Sequence, residues 1–191
     1  MQQMNTFALI LLGLLVLALA FLVVTYNRLI GLKNQIDYAR GAIEALLKKR
    51  YDLVPNLVAT VKAYAKHERE TLERVTELRS RIGQAKSDEE RFKLEGELGG
   101  LLGRLLVQLE AYPELKANEN FLQLQAALNE IEEQLAAARR GYNAAVVQFN
   151  NAVEMFPSNL VARWMNLAPR PVFEAGEAAQ AAPEVGDLFG S

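Results

Sequence analysis

The feature that most limits what this chain can fold into is an apolar run, FALILLGLLVLALAFLVV, from Phe7 to Val24, with no charge and no side-chain amide. As a helix rising about 1.5 Å per residue it reaches roughly 27 Å, close to the hydrocarbon thickness of a bilayer. A helix in a soluble core usually keeps a polar stripe, and this one has none. A removable signal peptide fits less well. The leading MQQMNT carries no Lys or Arg, the run exceeds an ordinary signal core, and no small-residue cleavage site with a polar break follows it. The expectation is an uncleaved single-pass anchor over residues 7–26.

Basic residues near the span set its orientation, because Lys and Arg are retained on the cytoplasmic side. Residues 1–6 contain none, whereas Arg28, Lys33 and Arg40 follow the run. This predicts a short extracytoplasmic N-terminus (1–6) and a cytoplasmic body (27–173) at the cell inner membrane. Tyr26 suits the interfacial belt, with its ring in the headgroups and its hydroxyl wet. Arg28 and Lys33 lie near enough to attract anionic lipid, while Lys48, Lys49 and Arg50 lie too far along a rigid helix to do so.

Beyond the anchor, apolar residues recur in steps of three and four, apart from skipped polar positions: Ile36, Ile43, Leu47, Val54, Leu57, Val61, Tyr64, Leu72, Val75, Leu78 and Ile82. That rhythm predicts one long helix, with a kink or break at Pro55, which lacks an amide donor. Ser87 with Glu90 three residues later has the capping-box pattern, so a second helix is expected from about Asp88. Its leucines run to Leu109, interrupted by Gly96, Gly99, Gly100 and Gly103. Those glycines signal either a hinge or a helix held by its leucines, and the second is the simpler reading. A cap at Asn118 opens a third long helix, striped from Phe121 to Phe156. A short amphipathic segment with Trp164 follows, with Trp164 expected to close the bundle end. The Ala-rich acidic tail, 174–191, has too few large apolar groups to offset ordering entropy and is expected to be disordered.

The inventory of reactive groups is thin. With no cysteine there is no disulfide, thiolate nucleophile or Cys-ligated metal. The single histidine, His67, precedes Glu68, but Thr71 stands where a second metal-binding histidine would be needed, and nucleophile-elbow and phosphate-loop motifs are absent. A net charge of −2 offers no basic field for nucleic acid. These observations predict no catalytic, cofactor-binding or metal-binding residues, and no small-molecule substrate. The polar residues singled out are structural. Arg50 occupies a step of the apolar stripe and needs a buried partner, for which Glu130, Glu132, Glu133 and Asn150 are candidates. Arg139, Tyr142 and Asn143, with Asn150 and Asn118, are expected to fix helix alignment by hydrogen bonds across the bundle.

The segments YNRLIGLKNQI, KKRYDLVPNLVATVKAYAKHERETLERV, YPELKANENFLQLQ, ARRGYNAAVVQFN and FPSNLVA, in this order behind an apolar N-terminus, resemble the LemA family across residues 26–175. The resemblance implies a bacterial membrane protein with a small extracellular N-terminus, one membrane helix and a cytoplasmic antiparallel helical bundle. It implies no reaction and no catalytic residues. Together these readings predict an all-α protein: a single transmembrane helix leading into an antiparallel helical bundle with long helices. The function expected is a membrane-anchored, non-enzymatic scaffold whose partners are the membrane and either further copies of itself or other envelope proteins. A regulatory adaptor or sensor is the alternative, and a hydrolase would need an acid–base set that the sequence does not bring together.

Overall fold

The computed structural model describes residues 2–173, so the acidic tail lies outside the described residues. The chain is all-α, and among the described residues there is no strand. Helix α1 spans Gln2–Lys62, a single 3-10 turn covers Lys66–Glu68, and α2 (Arg69–Gln84), α3 (Asp88–Leu109), α4 (Pro113–Lys116), α5 (Glu119–Glu154) and α6 (Ser158–Trp164) follow. From α6 the backbone turns at Asn166, whose φ of 53° is left-handed, and then runs without regular structure to Phe173.

Two compact units each have a core of their own. The first combines residues up to Ala42 with Ala138–Phe173. Its core takes Leu29 and Ile36 from α1, Val146, Phe149, Ala152 and Val153 from α5, and Val161 and Ala162 from α6. Within this unit, every side chain from Asn5 to Val24 is exposed, and Thr25, directly after them, is buried. One helix is therefore long and apolar enough to cross a membrane, and its apolar run has no protein cover.

The second unit contains Ile43–Ala137. Here Val54, Leu57 and Val61 of α1 pack with Leu72, Val75, Leu78 and Ile82 of α2 and with Leu94, Leu98, Leu102, Leu105 and Leu109 of α3. Phe121 and Leu128 of α5 complete this core. The three-four spacing read along the sequence is thus the buried face of these helices, apart from Tyr64, which lies exposed beyond the end of α1. The glycine-rich stretch is uninterrupted helix, held by the leucines interleaved with it.

Local signals set most helix ends. At α3 the Ser87 hydroxyl accepts the Glu90 amide at 3.1 Å, and the Glu90 carboxylate accepts the Lys86 amide at 3.0 Å, a box closed one residue early. At α5 the Asn118 side-chain oxygen accepts the Phe121 amide at 3.1 Å. Pro55 is different. The expected break is not there: α1 runs through it and stops at Lys62.

Candidate functional site

No site of converging reactive groups emerges from the described residues. The positions with the most specific chemistry are two polar centres, one in each unit, and the end of the apolar run.

In the second unit Arg50 projects from the buried stripe of α1, with only 1% of its side chain exposed. Its Nη2 donates to a carboxylate oxygen and to the backbone carbonyl of Glu95, both at 2.6 Å, and its Nη1 donates to Glu132 at 2.6 Å. Glu95 is itself buried, whereas Glu132 keeps substantial contact with water. Of the acids named from sequence only Glu132 meets Arg50, and Glu95 was missed. Its signal was present, because Glu95 lies three residues before Leu98 and seven before Leu102, on the leucine stripe where only a paired charge can sit. Arg50 Nε and the second Glu95 oxygen are buried without a partner, so the centre is tightly but incompletely satisfied. Gly99 makes room for it. A methyl group there would stand 2.6 Å from Arg50 Nη1, closer than any real contact.

One turn further along α1, Pro55 removes the amide that would bond the Tyr51 carbonyl four residues earlier. Arg79 of α2 supplies the missing donor, its Nε reaching that carbonyl at 3.2 Å while its guanidinium stacks 4.1 Å from the centre of the Tyr51 ring. The helix survives its proline because a second helix satisfies the orphaned group and because Val54, Leu57 and Val61 remain buried on both sides of it.

Two further titratable groups of this unit lie at or near its surface. His67 is exposed on the 3-10 turn. The Tyr112 hydroxyl donates to Glu68 at 3.2 Å, and partial burial, followed by the Glu68 carboxylate, pushes the phenol above its ordinary value. Asn118, besides capping α5, donates to the Tyr64 hydroxyl at 3.1 Å. Among the described residues no group of three or more His, Cys, Asp or Glu is placed to hold a metal ion.

In the first unit the polar centre consists of two asparagines. Asn143 accepts the Phe173 amide at 2.7 Å and donates to its carbonyl at 2.9 Å. Asn150 does the same for Arg170, at 2.8 and 2.9 Å. Two helical turns separate the asparagines and three residues separate their targets, about 10 Å in either case for a helix and an extended strand. The register therefore matches. Pro169 and Pro171 hold the segment extended, since each fixes its own φ and disfavours a helical residue before it. Arg170 then reaches Asp37 of α1 at 2.9 Å, with its guanidinium 5.8 Å from the Phe149 ring centre. Tyr142 packs edge-on against Phe173 at 4.8 Å. The asparagines thus align an extended segment on α5 instead of bonding helix to helix, a difference rooted in geometry: a side-chain amide pairs best with a backbone that has both its N–H and C=O free. Arg139 is half-buried on α5. An open groove lined by Ala39, Ala42, Ala138, Gly141 and Ala144 runs between α1 and α5 of this unit, with Tyr38 beside it.

At the end of the apolar run Tyr26 is 42% exposed, and its ring lies 6.4 Å from that of Trp164. Trp164, expected to close the bundle end, is 76% exposed instead, because α6 turns Val161 and Ala162 to the core. Arg28 is exposed and Lys33 half-buried.

The chain is similar to known proteins along most of its length. A family model described as the LemA family matches residues 39–186. Protein LemA of Metamycoplasma hominis is 30% identical over 152 residues, covering 79% of this chain and 69% of the relative. Magnetosome protein MamQ 2 of Paramagnetospirillum magneticum is 25% identical over 170 residues, covering 75% of this chain and 62% of its own. Magnetosome protein MamQ of Magnetospirillum gryphiswaldense is 20% identical over 174 residues, covering 78% and 64%. Against both magnetosome relatives the chain spans a little under two thirds of their length.

Proposed function

The chain belongs to the LemA family, and from that premise we propose that it is a membrane-anchored, non-catalytic helical interaction protein of the bacterial cell envelope. Residues 7–26 form the span, residues 1–6 lie outside the inner membrane and the bundle of residues 27–173 stands in the cytoplasm, presenting its surfaces to further copies or to other envelope proteins. The observation that carries this reading is the change of environment within α1. All side chains from Asn5 to Val24 lack protein cover, while Thr25, Leu29 and Ile36 on the same helix are buried by protein. An exposed helical face apolar all round is stable only where lipid replaces water.

The absence of native cysteine makes the test direct. Gln3→Cys and Ser80→Cys variants are treated with a membrane-impermeant maleimide, first in intact cells or spheroplasts and then after lysis. The proposal expects Gln3→Cys to react from outside and Ser80→Cys only after lysis; the opposite pattern reverses the orientation. Extraction of the chain by alkaline carbonate rejects the span. In-cell crosslinking from Tyr38, beside the alanine-lined groove, tests the interaction role, and recovery of uncrosslinked monomer alone counts against it.

A further inference from the structure

We infer that α6 and the turn before it form a second, interfacial attachment to the bilayer, with Met155, Phe156, Leu160 and Trp164 seated in the boundary between lipid headgroups and acyl chains beside Tyr26. The inference rests on the reading of Phe7–Val24 as a membrane span and adds to it a docking surface whose occupant is the phospholipid surface itself.

The first support is exposure. Met155 is 62% exposed, Phe156 78%, Leu160 58% and Trp164 76%, four large apolar side chains within ten residues of chain. They are not left over from a missing core, since α6 already buries Val161 and Ala162 on its inner side. A seven-residue helix that carries apolar groups on its outer face as well needs a second apolar neighbour.

The second is position. Val161 and Ala162 share one core cluster with Leu29 of α1, and the Trp164 ring lies 6.4 Å from Tyr26. Tyr26 follows the last residue of the apolar run by two positions, about 3 Å along a helix. The headgroup layer is about 5–8 Å deep on each side of the hydrocarbon, so a side chain level with Tyr26 falls within it. The surface is therefore continuous with the end of the span.

The third is chemistry. Trp and Tyr are the residues whose rings favour this layer, apolar in body with one polar handle. Between residues 155 and 164 the only charge is Arg163, exposed and basic, and Arg28 is exposed two residues beyond Tyr26. Both positive charges suit a phosphate-bearing surface.

Trp164 is the only tryptophan in the chain, so intrinsic fluorescence reports on this surface without labelling. The full chain is reconstituted in vesicles of phosphatidylcholine and phosphatidylglycerol, with bromine on the acyl chains either near the ester or near the chain end. The expected result is blue-shifted emission, strong quenching by the shallow bromines, weaker quenching by the deep ones and little by aqueous iodide. A Phe156→Asp, Leu160→Asp variant that keeps its helical circular dichroism should lose the bromine quenching and gain iodide quenching. Water-like emission quenched by iodide and untouched by bromine overturns the inference, as does bromine quenching that the double variant leaves unchanged. Protection from both quenchers that grows with the protein-to-lipid ratio assigns the surface to a second copy and also overturns it. Carbonate extraction of the same vesicles separates the two readings: release of the chain means the span itself has failed, whereas a retained chain with Trp164 in water defeats this inference alone.

Discussion

In the unit formed by residues up to Ala42 and Ala138–Phe173, alignment is fixed by neutral amides at half-buried positions, Asn143 and Asn150, each gripping one peptide unit of an extended segment. In the unit of Ile43–Ala137 it is fixed by full charges, Arg50 and Glu95, each 1% exposed. The difference lies in what happens when a partner is lost. A half-buried amide or peptide group that loses its bond can turn to water. A buried guanidinium or carboxylate cannot, and retains the whole desolvation penalty. The first arrangement is adjustable and the second is committed.

The comparison is tested most severely at Arg50. Replacing it by methionine strands the Glu95 carboxylate and should destabilise the protein by about 3–5 kcal/mol. The R50M/E95M double variant should recover most of that loss, since a buried ion pair replaced by packed apolar groups is often neutral. Urea unfolding in detergent, followed by circular dichroism, measures both; a double variant as weak as the single would mean that the charges are favourable in themselves. Next, Gly99→Ala drives a methyl group into the Arg50 guanidinium and should cost about 1–3 kcal/mol. Gly96→Ala, with open space around it, should stabilise α3 by up to about 1 kcal/mol. Equal effects at the two glycines would show that the guanidinium moves aside freely.

Smaller changes are expected where a lone carbonyl is at stake. Arg79→Met leaves the Tyr51 carbonyl without its donor and should cost about 1–2 kcal/mol. In a Pro55→Ala background, where the helix supplies its own amide, the same substitution should cost less, and a double-mutant cycle reads the coupling directly. Asn150→Ala should cost about 1 kcal/mol and speed hydrogen exchange at the Arg170 amide, with the Arg50 unit unaffected. The least effect belongs to Tyr112. Its phenol holds its proton more tightly when folded, so its contribution is complete below the ordinary value near 10 and is lost as pH rises through the raised value. An alkaline unfolding limb should therefore flatten in Tyr112→Phe, and an unchanged limb would remove the Glu68 contact from the account.

Much of this molecule is legible in its sequence. The apolar run and the caps at Ser87 and Asn118 appear in the structure where local rules put them, and so do the three-four stripes, except that the run from Ile36 to Ile82 is split after Lys62 and that Tyr64 and Phe156 are exposed. Glu132 was among the acids named for Arg50. Pro55 does not break the helix, because a rule about one missing hydrogen bond does not know that Arg79, 24 residues later, stands ready to replace it. Trp164 misled for a related reason, since the inner face of α6 was already filled by smaller residues. The extended segment that Asn143 and Asn150 hold left only a faint trace, Pro169 and Pro171, which marks a backbone as extended without indicating where it lies.

The sequence by itself determined the helices, their buried stripes and the oily stretch that asks for lipid, because side-chain period and backbone valence are settled within a few neighbouring residues. Only the tertiary structure decided which acid meets Arg50, which group serves the Tyr51 carbonyl and what the asparagines grip. Those partners lie far away along the chain, 45 residues between Arg50 and Glu95 and 82 between Arg50 and Glu132. Their meeting depends on how whole helices align, and that alignment is chosen by the summed packing of every stripe rather than by any one residue in it.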